Sequence, residues 1–172
     1  SIRLNEQGIA SPLTIETSGH AAFRENQFLD DGAYLVTKII IQMVNLKKVG
    51  KQLQDLLQPL QEPIETVELR LPITEKDFRS CGDRVIQQLN VFAEKNAHWQ
   101  IAPDNHEGIR CSFDEKHGDG WFLLRLSVHD PLMPLNIESN QIGGTKLIVR
   151  ELKSFFEQCR GLDITSIKEF IK

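Results

Sequence analysis

Hydrophobic residues in the C-terminal two thirds of the chain follow strand and helix periodicities in an order that restricts the fold. Val67, Leu69 and Leu71 alternate with charged residues, which is typical of a half-buried strand. A helical stripe comes next, then four more strand candidates, then a second helical stripe. The strand candidates cover residues 99–102, 109–113, 121–126 and 132–138. This order predicts an α+β domain, with an antiparallel sheet of roughly four or five strands and helices on one face.

Two local signals add detail to this prediction. Thr74 and Asp77 resemble a capping box with Asp in place of the usual Glu, which predicts Thr74 as the N-cap of the helix that follows. Pro134 cannot donate to a strand ladder, so we expect an edge or a bulge there. The stripes comprise Phe78, Cys81, Val85, Leu89 and Phe92 in the first helix, and Ile148, Leu152, Phe155, Phe156 and Cys159 in the second.

The first 60 residues have a different pattern. A short strand at 13–15 precedes a polar loop, and Asp30 or Asp31 is expected to cap an apolar helix that ends near Lys47. A short helix at 52–58 and a proline-bounded linker follow. This segment is too short and too helical to bury a core by itself, so we expect it to be the helical end of an α/β domain. The predicted domains are 1–60 and 61–172.

Composition excludes several classes of function. The formal net charge is -4 over 172 residues and no basic run occurs, which argues against a nucleic-acid partner. No apolar run is long enough to span a membrane, and we expect no signal peptide. Three widely spaced cysteines predict a reducing, cytoplasmic compartment without disulfides. No metal-ligand spacing is present.

The first candidate site, called the first loop, is Glu16-Thr17-Ser18-Gly19-His20. Its carboxylate can accept hydrogen bonds from two hydroxyl groups, its serine and histidine can donate or accept, and Gly19 lets a ligand approach the backbone. These are the groups that bind a sugar. The alternative is an ordinary helix-entry loop with a surface histidine.

The second candidate site, called the second loop, is Arg125-Leu126-Ser127-Val128-His129-Asp130-Pro131. A guanidinium can hold a phosphate through two parallel hydrogen bonds, and Ser127 and the backbone N–H groups can add more. The alternative is a plain hairpin connection with Asp130-Pro131 as the turn former.

Both loops resemble motifs of the phosphohexomutases, the phosphomannomutase/phosphoglucomutase family. The family's sugar-binding loop typically reads Gly-Glu-Met-Ser-Gly-His, which Glu16, Ser18, Gly19 and His20 match. Its phosphate-binding loop typically reads Arg-x-Ser-Asn/Gly-Thr-Glu/Thr-Pro. Arg125, Ser127 and Pro131 match that loop, whereas Val128 and His129 depart from it. The flanking segments Asp30-Asp31-Gly32, Gly108-Ile109-Arg110 and Gly120-Trp121 also resemble the family, and the two loops occur in the family's order.

The resemblance implies that residues 1–60 are the end of the third, sugar-binding domain and residues 61–172 the fourth, phosphate-binding domain, with a TATA-box-binding-protein-like fold. It implies sugar binding by Glu16, Ser18, Gly19 and His20, and phosphate binding by Arg125, Ser127 and His129. The parent enzyme would be an isomerase that interconverts hexose 1-phosphate and hexose 6-phosphate through a hexose bisphosphate.

The family's phosphoserine loop and its Mg²⁺-binding loop do not occur in this sequence. We therefore expect no catalytic residue and no metal ligand in this chain, and we expect the chain alone to be inactive. Its partners would be hexose phosphates and the upstream domains of the same polypeptide. A plant source would predict the plastid instead of the cytoplasm.

Two alternatives remain open at this stage: a free-standing, non-catalytic sugar-phosphate-binding module, and an interaction domain whose loops no longer bind. The sequence does not distinguish glucose, mannose and aminosugar substrates.

Overall fold

The computed structural model of the protein describes residues 1–16, 19–103, 105 and 107–172. The chain divides into two compact units, Ser1–Gln61 and Glu62–Lys172. In the described part of the chain, no helix has the length and apolar character that crossing a membrane requires.

The C-terminal unit contains a five-stranded sheet in which every pairing is antiparallel. The strands are β3 (Glu65–Pro72), β4 (Gln100–Ile101), β5 (Ile109–Phe113), β6 (Gly120–Leu124) and β7 (Leu132–Ser139). They lie in the order β3-β7-β6-β5-β4, so β7, the last of them in the chain, lies between β3 and β6.

Helices cover one face of this sheet. They are α3 (Phe78–Glu94), α4 (Gly144–Phe156) and α5 (Thr165–Phe170). Alternate strand residues, such as Leu71, Phe122 and Leu135, are fully buried and share one hydrophobic core with helical residues such as Val85 and Leu152. The predicted α+β class, with an antiparallel sheet and helices on one face, is therefore confirmed.

Two predicted details of this unit are wrong. Asp77, and not Thr74, caps α3, because the Asp77 side chain accepts a hydrogen bond from the Ser80 N–H at 3.1 Å. Pro134 lies neither at an edge nor at a bulge: β7 is paired on both sides, with Pro134 opposite Arg70.

The position of Pro134 explains why a central strand tolerates it. The Pro134 carbonyl accepts from the Arg125 N–H at 3.2 Å. In an antiparallel pair of this kind the nitrogen of Pro134, which carries no hydrogen, also faces Arg125. Pairing with β6 ends one residue earlier, at Leu124 and Leu135. The proline therefore lacks a donor only where the ladder stops, at the start of the second loop.

The N-terminal unit has a short helix, a hairpin and one long helix: α1 (Ile2–Glu6), β1 (Leu13–Ile15), β2 (Ala21–Phe23) and α2 (Gly32–Lys48). Short 3-10 turns occur at Arg24–Asn26 and Leu53–Leu56. Asp31 caps α2, because its side chain accepts from the Tyr34 N–H at 3.0 Å. Large apolar side chains of α2 are exposed, namely Val36, Ile39, Ile40, Ile41, Met43 and Val44.

Candidate functional site

The described residues of the first loop, Glu16, Gly19 and His20, lie just beyond the paired strands of the β1–β2 hairpin. The strands pair from Leu13 opposite Phe23 to Ile15 opposite Ala21. Beyond them, the Glu16 N–H donates to the His20 carbonyl and the Gly19 N–H donates to the Glu16 carbonyl, both at 2.9 Å. Gly19 has a φ of 90°, a conformation that favours glycine. Glu16, Gly19 and His20 therefore lie on one exposed turn, whereas Ser18 lies outside the described residues.

A carboxylate that sequence reasoning did not assign to the site orients His20. Asp30 Oδ2 lies 2.7 Å from His20 Nδ1, and both side chains are more than half exposed. Asp30 also forms an isolated bridge with Ala22, which places it beside the hairpin. The sequence signal was the Asp30-Asp31 pair: only one of the two can cap α2, and Asp31 does so.

His20 and Asp30 border a surface depression of about 360 Å³ that Gly19 and Gly32 also line. Because Asp30 occupies Nδ1, the Nε2 atom of His20 remains for a ligand. Gly19 and Gly32 both line the depression and let a ligand approach the backbone. The arrangement can bind a neutral polyol by hydrogen bonds.

The second loop closes a hairpin between β6 and β7. The Arg125 N–H donates to the Pro134 carbonyl, and the Ser127 N–H donates to the Leu132 carbonyl at 3.0 Å. At the tip, Ser127 Oγ accepts from the Asp130 N–H at 3.3 Å. Within the described part of the chain, the N–H groups of Val128 and His129 donate to no acceptor.

The Arg125 guanidinium has no partner within the part of the chain that the structure describes. Arg125 is half-buried, and its side chain forms neither an ion pair nor a hydrogen bond with any described residue. His129 is exposed and likewise unpaired among those residues. A cationic fork, a hydroxyl and two N–H donors therefore lie within five consecutive residues, and these are donors that an anion needs.

Close backbone packing determines where the second loop starts. Gly108 has a φ of 107°, and a Cβ at this position would overlap the Leu124 carbonyl oxygen and lie 2.9 Å from the Arg125 Cα. No other residue type can bring the chain before β5 so close to Arg125. In the sequence, Gly108 belongs to a segment that resembles the family, but no local pattern predicts this contact.

Neighbouring cations on the open face of the sheet are paired. The Arg110 guanidinium lies 4.5 Å from the centre of the Trp121 ring, and Arg70 Nε donates to Glu68 at 2.8 Å. Arg125 differs from both, because the described residues offer its charge no such contact. A group of three or more His, Cys, Asp or Glu side chains that could hold a metal ion does not occur among the residues described.

No protein-family model matches this chain, and no curated protein sequence matches it. Solved structures do match it. One of them is a phosphoglucomutase/phosphomannomutase family protein from Burkholderia thailandensis, with a TM-score of 0.63 and 21% sequence identity. The match covers 92% of this chain and 31% of that protein, so this chain spans about a third of its length. At this identity the likeness shows a shared fold.

Proposed function

We propose that this chain is the substrate-binding C-terminal part of a phosphohexose mutase, an enzyme of the phosphoglucomutase/phosphomannomutase type. The observation that carries the proposal is Arg125, a half-buried cation without a partner among the described residues, next to Ser127 and two unused N–H donors. A structural likeness to a protein of that family, which covers 92% of this chain, supports the assignment.

In this proposal the second loop binds the phosphate group that is not reacting. Arg125 makes the bidentate contact, and the N–H groups of Val128 and His129 bind the remaining oxygens. The Ser127 hydroxyl, whose oxygen accepts from the Asp130 N–H, donates its hydrogen to the phosphate, and the His129 imidazole donates one more hydrogen bond. His129 takes over from the threonine that the family usually has.

The first loop binds hydroxyl groups of the sugar. The Glu16 carboxylate accepts from two hydroxyls, and Ser18 and His20 bind the neighbouring ones. Asp30 fixes the ring orientation of His20. Contacts of this kind position the substrate in both of the orientations that a transfer between the 1- and 6-positions requires.

The chemical step belongs to parts of the polypeptide outside this chain. The sequence contains neither the family's phosphoserine loop nor its Mg²⁺ loop, so Mg²⁺ would be bound elsewhere in the parent enzyme. A hexose bisphosphate would be the intermediate. Residues 1–172 contribute binding and orientation, and we expect no turnover from them alone.

The surface of α2 favours a longer polypeptide over a free-standing module. Val36, Ile39, Ile40, Met43 and Val44 fall within an arc of about 140° at 100° per residue, and each is at least 44% exposed. An apolar stripe of this size on a helix marks an interaction surface. The proposed partner is an upstream sheet of the same polypeptide, which would complete the α/β domain.

The test is the mutase activity of a polypeptide that contains this chain and the preceding domains. We expect conversion of glucose 1-phosphate or mannose 1-phosphate to the 6-phosphate, and a loss of roughly 2–4 kcal/mol of transition-state stabilisation in Arg125→Gln. Arg70→Gln is the matched control, because it removes one charge that Glu68 already pairs. Turnover by residues 1–172 alone, or equal activity of the two variants, would contradict the proposal.

A further inference from the structure

One side chain from outside the second loop contacts its tip. Arg79 Nη2 donates to the Val128 carbonyl oxygen at 3.3 Å, across 49 positions of sequence. The Arg79 guanidinium also lies 5.5 Å from the centre of the Phe78 ring. Arg79 is exposed, in the first turn of α3, so nothing in the core explains this contact.

The contact determines the orientation of one peptide group. In a trans peptide the carbonyl of one residue and the N–H of the next point in opposite directions. A hydrogen bond from Arg79 to the Val128 carbonyl therefore turns the His129 N–H away from α3. That N–H is one of the two that have no acceptor among the described residues.

The same face of α3 contacts the loop a second time. A Cβ on Gly82 would lie 2.6 Å from Leu126 Cδ1, so the Leu126 side chain packs directly on the helix backbone. Residues 79 and 82 are three positions apart and are neighbours on a helix surface. Leu126 and Val128 are two positions apart in the loop. Helix α3 thus contacts alternate residues of the loop, Leu126 and Val128. Arg125 comes just before this pair, and Ser127 lies between its two members.

Resting on the function proposed above, we propose that Arg79 is a positioning residue of the anion site. It does not bind the phosphate. It holds the Val128–His129 peptide so that the His129 N–H points to the side where the anion binds. Because the donor is charged, its hydrogen bond also polarises the peptide and strengthens that N–H as a donor.

The experiment is a titration of the ¹⁵N-labelled 172-residue chain with inorganic phosphate at constant ionic strength, followed through the backbone amide signals. In the wild-type chain we expect the His129 amide proton to move downfield as phosphate is added. Arg79→Met should weaken phosphate binding roughly tenfold, which corresponds to about 1.4 kcal/mol, and should remove most of the His129 shift. Arg79→Lys should restore part of both.

Lys76→Met is the matched control. It removes one positive charge three residues away, and Lys76 is exposed without a side-chain partner among the described residues. We expect it to leave the His129 shift unchanged. If Arg79→Met and Lys76→Met weaken binding equally with the His129 shift intact, Arg79 acts only through its charge and the inference is wrong. If the wild-type chain shows no phosphate-dependent shift in residues 125–131, the proposed function fails instead.

Discussion

Replacing Gly108 by alanine tests whether close backbone packing positions Arg125. The new Cβ would overlap the Leu124 carbonyl oxygen and lie 2.9 Å from the Arg125 Cα. Both neighbours are backbone atoms, so no side chain can rotate away to make room. The alanine would also have to adopt a φ of 107°.

The expected loss of stability has two parts. A non-glycine residue at such a φ costs about 1–3 kcal/mol, and forcing an extra methyl group into a packed site costs about 1–3 kcal/mol. We therefore expect Gly108→Ala to lower the free energy of unfolding of the C-terminal unit by about 3 kcal/mol. Because the start of the second loop has to move, phosphate affinity should fall as well.

Gly143→Ala separates the cost of the positive φ from the cost of the steric overlap. Gly143 has a φ of 78°, but a Cβ there would meet nothing within 4 Å. This variant carries the conformational cost without the overlap, so we expect a loss of about 1 kcal/mol. Its phosphate affinity should equal that of the wild type, since residue 143 is the N-cap of α4 and lies outside the second loop.

Urea unfolding followed by tryptophan fluorescence is the suitable assay. The two tryptophans, Trp99 and Trp121, both belong to the C-terminal unit, so the signal reports on that unit alone. With a slope of about 1–3 kcal/mol per molar urea, the two variants should differ in midpoint by about 1 M. Equal midpoints for Gly108→Ala and Gly143→Ala would refute the packing argument.

Two further predictions concern the helix ends and surfaces. The pKa of Glu65 is lowered from 4.5, first by the Thr145 hydroxyl and then by the Gly143 N–H, which donate to it at the start of α4. This stabilisation is complete above pH 4.5 and is lost as the pH falls through the lower pKa that Glu65 has in the folded state. Glu65→Gln should therefore lower the free energy of unfolding by about 1–2 kcal/mol at pH 7. Urea titrations below pH 4 should show a progressively smaller difference. Ile40 lies on the exposed stripe of α2, so Ile40→Lys should change the stability of the 172-residue chain by less than about 0.5 kcal/mol. The same substitution should lower the melting temperature of the longer polypeptide. An equal change in melting temperature for the two polypeptides would argue against an upstream partner.

Hydrophobic periodicity predicted the elements of the C-terminal unit well. Residues 109–113 form a strand with the predicted bounds, and α3 buries Cys81, Val85 and Leu89 as their helical spacing indicates. These patterns are local consequences of facing one core, so a single sequence contains them. The α+β class follows from their order.

Contacts between distant segments could not be predicted in the same way. A central strand tolerates Pro134 because the proline nitrogen, which has no hydrogen to donate, faces the point where pairing with β6 ends. Only the strand order shows this position. Asp30 contacts His20 because the hairpin brings them together. Arg79 contacts Val128 across 49 positions, and no periodicity indicates such a pair.

Our main claim, that the second loop binds the phosphate of a sugar phosphate, can be examined by titration. We would titrate the 172-residue chain with glucose 1-phosphate and, separately, with glucose, and follow the backbone amides of residues 125–131. We expect saturable shifts in the second loop with glucose 1-phosphate and none there with glucose. The shifts should be absent in Arg125→Gln and retained in Arg70→Gln. Unchanged glucose 1-phosphate binding in Arg125→Gln would contradict the claim.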